Sequence, residues 1–550
     1  MTLRPANAVF LRNTRSLGFL AEHVSWANGF RLNIKDQVIF MDETAVPVLS
    51  IIALSSNQPD AIALVDDRSS ISYRNAIKHI ETVSEHIACC VANSLTKRVL
   101  AYFDGSAEMV LAILGAQLSG AAYIPIEPKT PGSRVDAIAH VAQPCLIMTD
   151  SQNRQGAQLV ADRLGIPLVV LSLENAGKTL DISREGYREQ PFTVERLTSS
   201  TPAVVFFTSG STGTPKGVEL SHLGYYRWFE GVQDLIQVKR ADRVALTTNH
   251  SFDLSLGELY LGLMSGATLY VPRQSTVRDP LSLVPWLDQH EITVFQSVPS
   301  LMRRILLFRE SAGQGLETVR TIMFCGEPLE QQLVQNVKDS FPFSHARILN
   351  LYGPVEASVQ VTYCWAEEYL GSADVIIPLG KPLKHVVVRL AEVDDTSHEL
   401  QITGDHLALR YLDEKKTRES FIDDESEGRR FYRTGDLGKL NARGDLEYHG
   451  RVDDQVKING YRIELGEIEK AIIDHFRATD CCVLVDKSEG EPSLVAFVVA
   501  PNDSVADLRR AVADHLPIYM IPRTVIFIES IPLNTNGKRD KPSLRAEYLK

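Results

Sequence analysis

The sequence predicts an α/β protein: a large amino-terminal domain of several subdomains, with mainly parallel sheets flanked by helices and a small β-rich part, followed by a small α+β carboxy-terminal domain. Three observations carry that prediction. Short apolar runs recur at 99–103 (VLAYF), 146–148, 167–171 (PLVVL), 203–207 (AVVFF), 244–247, 268–271 and 347–351, with helically spaced stretches such as 108–119 and 281–289 between them. This alternation is the mark of parallel strands joined by crossover helices. From 376 to 449 the pattern shortens into strands and turns, with "RGDLEYHG" at 443–450 reading as a hairpin. Beyond 450 come an amphipathic helix "ELGEIEKAIIDH", strand-like runs at 481–485 and 494–499, and a second helix near 505–515.

At 550 residues the chain is too long for one hydrophobic core. The expected division is an extension over 1–45, a large core domain over 46–452 and a small domain over 453–550. Within the extension, "FRLNIKDQVIFMDE" at 30–43 suggests extra strands without an evident function. Apolar content of 44% is that of a globular chain, which excludes disorder as the default. A net charge of −12 argues against nucleic acid as a partner. Seven cysteines without CxxC spacing indicate neither a zinc site nor a disulfide framework, so a reducing, cytoplasmic setting is expected. No stretch of eighteen apolar residues occurs, so no transmembrane segment is expected. A monomer is expected.

The segment "FFTSGSTGTPKGVELSH" at 206–222 places glycines, hydroxyls and Lys216 directly after a buried run. Such a loop lets backbone N–H groups approach phosphate oxygens. A P-loop would need glycine at 215, where Pro215 stands, and the G-x-G-x-x-G dinucleotide pattern is absent here.

The stretch instead resembles the core motif of the adenylate-forming enzymes: acyl-CoA synthetases, luciferases and the adenylation domains of nonribosomal peptide synthetases. Further motifs follow in the family's order. They are "AAYIPIEP" at 121–128 with Arg134, "NHSFDLSLGELYLGLMSGATL" at 249–269, "CGEPL" at 325–329 and "NLYGPVEASV" at 350–359. "YRTGDLGKL" at 432–440, "GRVDDQVKINGYRIELGEIE" at 450–469 and "NTNGKRDK" at 534–541 complete the set. "ELQITGDHLALRYL" at 399–412 matches its motif loosely, lacking a glycine before Tyr411, and is expected to stay clear of the catalytic set.

The resemblance implies ATP and Mg²⁺ as cofactors and a two-step reaction in which a carboxylate becomes an acyl-adenylate and a thiol then displaces AMP. It assigns Thr208, Ser209, Gly210, Ser211, Thr212, Gly213 and Lys216 to the phosphates. Gly326, Glu327, Asn350, Tyr352 and Gly353 go to adenine, with Tyr352 stacked on the base; Asp436 goes to the ribose and Arg451 to the ribose and phosphate side. Glu356 would help hold Mg²⁺. Lys538 would bridge the carboxylate and the α-phosphate from a turn on a small domain that rotates about Asp453, and Gly460 would then line a thiol tunnel. Thr208, Lys216, Glu356 and Lys538 form the implied catalytic set.

Asp253 bears on which acid is used. Ser255 and Glu258 have the spacing of a capping box, which would make a second helix cap redundant and leave Asp253 for a substrate ammonium. By resemblance the remaining pocket positions are Leu254, Gly257, Gln296, Met323, Cys325, Leu351, Val359 and Gln360, with Lys538 closing the set. No charged group stands among them to meet a charged side chain, while Gly257 is expected to open room. Asp253, Gln296, Leu351 and Val359 together resemble glycine-selecting pockets, so glycine is expected first, then alanine or serine. A β-amino acid, or an acyl- or aryl-CoA synthetase, remains the alternative; a catalytically silent scaffold is disfavoured by Lys216, Glu356, Asp436 and Lys538. Twelve residues follow Lys538 and no condensation motif precedes the core, so the thiol is expected in trans, on a separate phosphopantetheinylated carrier protein. Discrete glycine ligases of lipid A aminoacylation are similar in this respect.

Overall fold

The computed structural model describes residues 9–12, 31–34, 37–40, 45–91, 94–186, 197–209, 215–312, 317–340, 346–372, 375–394, 396–486, 492–500, 504–533 and 539–549. They form two compact units, one of Met1–Pro128, Ala142–Phe206 and Val218–Gly450, the other of Lys129–Val141, Phe207–Gly217 and Arg451–Lys550.

The apolar runs become strands. One sheet has the order Thr179–Glu185, Leu168–Glu174, Leu146–Asp150, Arg98–Tyr102, Ala122–Ile126, Pro202–Thr208, Lys216–Ser221, Arg410–Tyr411. The pairings from Leu168–Glu174 to Ala122–Ile126 are parallel. Arg98–Tyr102 and Ala122–Ile126 are buried at every position, which is why they read as continuous rather than alternating apolar runs. Between them the helix Ala107–Leu118 is buried on all sides, and Ser106 caps it by accepting from Met109 N at 3.2 Å.

A second sheet runs Lys381–Pro382, Thr362–Trp365, Arg347–Tyr352, Thr321–Phe324, Val294–Ser297, Arg243–Ala245, Thr268–Tyr270, Ile62–Val65, Ser70–Ser72. Its middle strands are parallel, with Gln296 opposite Met323 and Phe324 opposite Asn350. Gln296, Met323, Cys325 and Asn350 to Tyr352 therefore gather at the carboxyl ends of adjacent parallel strands, where open α/β sheets bind ligands.

The β-rich part is antiparallel and includes Val386–Glu392, His398–Gly404, Phe421–Asp424, Arg429–Leu440 and Leu446–Arg451. The hairpin read at 443–450 is the turn that brings Leu446–Arg451 back onto Arg429–Leu440. Glu399 pairs with Leu437 but Gln401 with Arg433, so the strand bulges at Thr434, Gly435 and Asp436. A bulge re-aims side chains, and this one carries Asp436. Val9–Arg12 joins the same sheet beside Val386–Glu392, a pairing the sequence did not announce. The strands suggested at 30–43 form as Arg31–Ile34 against Gln37–Phe40.

In the second unit, Asp480–Asp486, Ser493–Val499 and Thr524–Phe527 form a sheet, with the helices Leu465–Phe476 and Val505–Ala513 close to the predicted places. Ile468, Ile472, Leu508 and Val512 from these helices join its apolar core. The hairpin Gln455–Ile458 to Tyr461–Glu464 closes through Asn459 and Gly460, both with left-handed φ, +51° and +78°. That is the turn an Asn-Gly pair favours. No helix among the described residues is long and apolar enough to cross a membrane.

Candidate active site

In the first unit the residues assigned to the nucleotide converge from distant sequence. Tyr352 ends the strand Arg347–Tyr352, and its hydroxyl donates to Asp436 Oδ2 at 2.5 Å. The bulge fixes the aspartate: its backbone N donates to Thr434 Oγ1 at 2.9 Å, and Gly435 N donates to Glu399 Oε1 at 3.0 Å. Asn350 is held by donating to the Pro378 carbonyl at 2.9 Å. The Glu327 carboxylate accepts from Ser300 N at 2.8 Å and Ser300 Oγ at 2.9 Å, tying it to the helix Pro299–Ala312. This commits the Glu327 side chain and leaves the Gly326–Glu327 backbone as the part suited to a ligand. A Cβ on Gly353 would lie 2.4 Å from Val359 O, so only glycine fits there.

Glu356 is wholly buried and accepts from the Tyr411 hydroxyl at 2.6 Å. This corrects the expectation that 399–412 stays clear of the catalytic set. The short strand Arg410–Tyr411 is pinned by an ion pair from Arg410 to Glu219 at 2.9 Å, and that anchor positions Tyr411 without the missing glycine. Among the described residues no group of three or more His, Cys, Asp or Glu is placed to hold a metal. A single carboxylate such as Glu356 is nonetheless enough for Mg²⁺, which binds through one or two carboxylates plus phosphate oxygens and keeps several waters.

Asp253 stands at the start of the helix Leu254–Met264 and is buried, and it makes no capping bond. The expected capping box does not form. Ser255 Oγ donates to the Phe252 carbonyl at 2.6 Å, and Glu258 is drawn to Thr247 Oγ1, Thr248 N and Thr248 Oγ1 at 3.2, 3.0 and 3.0 Å. The physical reason is burial: Glu258 is enclosed and needs these donors, which hold it away from the helix start. Burial pushes its carboxyl up to about 8, with the threonine hydrogen bonds opposing. Near Asp253 lie Tyr123 and Tyr225, whose phenols are raised first by burial and further by the aspartate's charge.

The other pocket positions are brought together by a chain of neutral hydrogen bonds. Trp228 Nε1 donates to Gln360 Oε1 at 2.5 Å, Gln360 Nε2 donates to Gln296 Oε1 at 3.4 Å, and Gln296 Nε2 donates to the Leu254 carbonyl at 3.4 Å. Met323, Cys325, Leu351 and Val359 are buried. Val359 has φ +76° and the preceding Ser358 +52°, a left-handed pair that is costly for a β-branched residue. Ser358 Oγ donates to the His406 carbonyl at 2.8 Å and helps hold it. The expectation that Gly257 opens room is corrected. A Cβ there would stand 3.0 Å from Trp228 Cη2 and 3.3 Å from Val359 Cγ1, so that space is filled from the facing wall. Trp228 and Tyr411 were missed because each reads as one more apolar core position; Trp228 belongs to the stripe Tyr225, Trp228, Phe229, Val232 on the helix His222–Ile236.

In the second unit Thr208 ends its strand half-buried. Ser209 Oγ donates to the Arg462 carbonyl at 3.0 Å and accepts from Glu464 N at 3.2 Å, while Lys216 Nζ pairs with Glu464 Oε1 at 3.1 Å. Arg134 pairs with Glu467 at 2.6 Å, both buried. Arg451 grips Asp453 with two bonds, at 2.6 and 2.9 Å. Burial alone would raise the Asp453 carboxyl, but Arg451 holds it below its ordinary value. Gly210, Ser211, Thr212, Gly213 and Lys538 lie outside the described residues.

Residues 53–412 match the family model described as AMP-binding enzyme, and residues 467–538 match the AMP-binding enzyme C-terminal domain. The chain belongs to the AMP-binding enzyme family. Zwittermicin A synthase ZmaJ of Bacillus cereus is a similar protein, 30% identical over 505 residues that cover 88% of this chain and 92% of that protein. The Dimodular nonribosomal peptide synthase of Bacillus subtilis (strain 168) is 32% identical over 504 residues, 89% of this chain. The chain spans 21% of that relative's length. The crystal structure of the Vibrio cholerae adenylation domain AlmE in complex with glycyl-adenosine-5'-phosphate superposes with a TM-score of 0.77 over 95% of this chain and 99% of that one. At 22% identity this likeness concerns the fold.

Proposed function

We propose that this AMP-binding enzyme activates a small amino acid, glycine first, as its adenylate and passes the aminoacyl group to the phosphopantetheine thiol of a separate carrier protein. A substrate carboxylate oxygen attacks the α-phosphorus of ATP, a P–O bond forms, and the bond to the β,γ-phosphates breaks to release pyrophosphate. The carrier thiol, giving up its proton, then attacks the acyl carbon and AMP leaves with the electron pair of the broken C–O bond. The protein needs no nucleophile of its own; its task is to hold two anions together and offset the charge that develops.

The observation that carries this reading is the burial of Asp253 at the head of the helix Leu254–Met264, where it makes no capping bond, in the motif position that the resemblance to amino-acid-activating members assigns to the α-ammonium. In this reading Tyr352 and Asp436 take the adenosine, and Thr208, Ser209 and Lys216 take phosphate together with Gly210, Ser211, Thr212 and Gly213. Arg451 serves the ribose and phosphate side, and Lys538 bridges carboxylate and α-phosphate. Mg²⁺, when bound with the triphosphate, neutralises phosphate charge, and Glu356 is the carboxylate that would help hold it. Asp453 is the hinge residue between the two steps. The 32% identity to a nonribosomal peptide synthase supports the choice of an amino acid. A role in lipid A aminoacylation belongs to the same reading at its finest level.

The test is ATP–pyrophosphate exchange with each common amino acid and with aryl and fatty acids. Strong exchange with glycine is expected; exchange driven best by aryl or fatty acids overturns the assignment in favour of an acyl- or aryl-CoA synthetase.

A further inference from the structure

A glycine on a pocket helix ordinarily means space. Here the space over Gly257 is taken by the six-membered ring of Trp228, with Cη2 and Cζ2 placed 3.0 and 3.1 Å from where a Cβ would stand. Trp228 comes from the helix His222–Ile236, outside every motif used to assign the pocket. It is fully buried, and its indole N–H is spent on Gln360, which is itself bonded to Gln296. The ring therefore cannot swing away without orphaning a buried donor, and Val359 Cγ1, on a left-handed backbone, borders the same spot 3.3 Å from where the Cβ would stand.

We propose that Trp228 is a specificity-determining residue that closes the side-chain end of the acid pocket, so that the upper size of the accepted acid is set by the helix His222–Ile236 rather than by the residue at 257. The proposal rests on the reading of Asp253, Gln296, Val359 and Gln360 as walls of an amino-acid pocket. A rigid aromatic wall excludes larger side chains by steep overlap, whereas a pocket that is merely too large discriminates weakly between methylenes. The design differs from a pocket filled by a large residue at position 257 in one testable respect: the filling group and the vacant helix face can be exchanged.

The experiment measures exchange kcat/KM for glycine, alanine, valine, leucine and phenylalanine in the wild type, Trp228→Leu, Trp228→Phe and the double variant W228L/G257L. The readout is the ratio of leucine to glycine within one preparation, which cancels any loss of folded protein. The expected result is a rise in that ratio of about tenfold or more in Trp228→Leu, a smaller rise in Trp228→Phe, and a return towards the wild-type ratio when leucine refills the gap from position 257. A ratio unchanged within about twofold in both single variants overturns the proposal, and Trp228→Phe decides the matter should Trp228→Leu not fold. Absence of amino-acid-dependent exchange from the wild type defeats the reading of the site instead. The same ratio is then taken across the acid series that does drive exchange, where a wider limit in the variants still supports the tryptophan as the wall and an unchanged one overturns it.

Discussion

The proposed acid pocket of the first unit and the loop-and-hairpin contacts of the second are held by different physics. In the pocket, Trp228, Gln360, Gln296 and the Leu254 carbonyl form a run of neutral hydrogen bonds among buried groups. In the second unit ion pairs are added to the neutral bonds of Ser209: Lys216 to Glu464, Arg134 to Glu467, Arg451 to Asp453. A neutral buried bond has no substitute when broken, because the orphaned group finds no water, so it locks one geometry. The Lys216 ammonium can instead take a phosphate oxygen in place of Glu464, whose carboxylate keeps the Gln455 amide as a donor at 2.8 Å. Under the proposed function the difference becomes a division of labour: size discrimination would rest on the neutral contacts of the first unit, and phosphate handling on the exchangeable contact at Lys216.

The largest test of that division falls on the charged side. Lys538→Ala is expected to lower glycine-dependent exchange by about a thousandfold or more, because a cation aimed at developing charge is the hardest contribution to replace. Transfer to a carrier protein from supplied glycyl-adenylate should change far less, and comparing the two half-reactions checks it. Next comes Asp253→Asn, which keeps the shape and removes the charge; glycine exchange should fall by about a hundredfold, read as kcat/KM.

A smaller effect concerns Glu258, a buried carboxyl raised to about 8 against an ordinary 4.5. The folded protein keeps a proton there that the unfolded chain loses between those values, so the stabilisation is complete below about 4.5 and lost as pH climbs through about 8. The melting temperature of the wild type should therefore decline relative to Glu258→Gln between pH 5 and 8, roughly the window of that shift. A difference independent of pH would mean that Glu258 titrates normally. The smallest expected effect is on the exchangeable pair. Glu464→Gln removes the anion that occupies Lys216 and should tighten ATP binding by about threefold, an effect that added salt erodes. Unchanged affinity would show that Glu464 and phosphate do not compete.

The strands read at 99–103, 146–148, 167–171, 203–207, 244–247, 268–271 and 347–351 were legible because buried parallel strands are written as continuous apolar runs, whereas the hairpin at 455–464, turning at Asn459 and Gly460, went unread. The residues assigned to the nucleotide were read from their motifs, and Tyr352 and Asp436 among them do meet. What escaped depended on packing across distant sequence. Tyr411 lies on a weak motif yet reaches Glu356, Trp228 looks like core yet fills the hole at Gly257, and the S-x-x-E spacing at 255–258 lost its glutamate to Thr247 and Thr248. Local spacing proposes partners, while burial decides which partner a polar group takes.

The account rests on a fixed carboxylate gripping an ammonium. The most direct measurement compares the binding of a sulfamoyl analogue of glycyl-adenylate with its des-amino counterpart, in the wild type and in Asp253→Asn. The account predicts that removing the amine weakens binding to the wild type by about a hundredfold and matters little in the variant. Equal affinities for the two analogues in the wild type would contradict it.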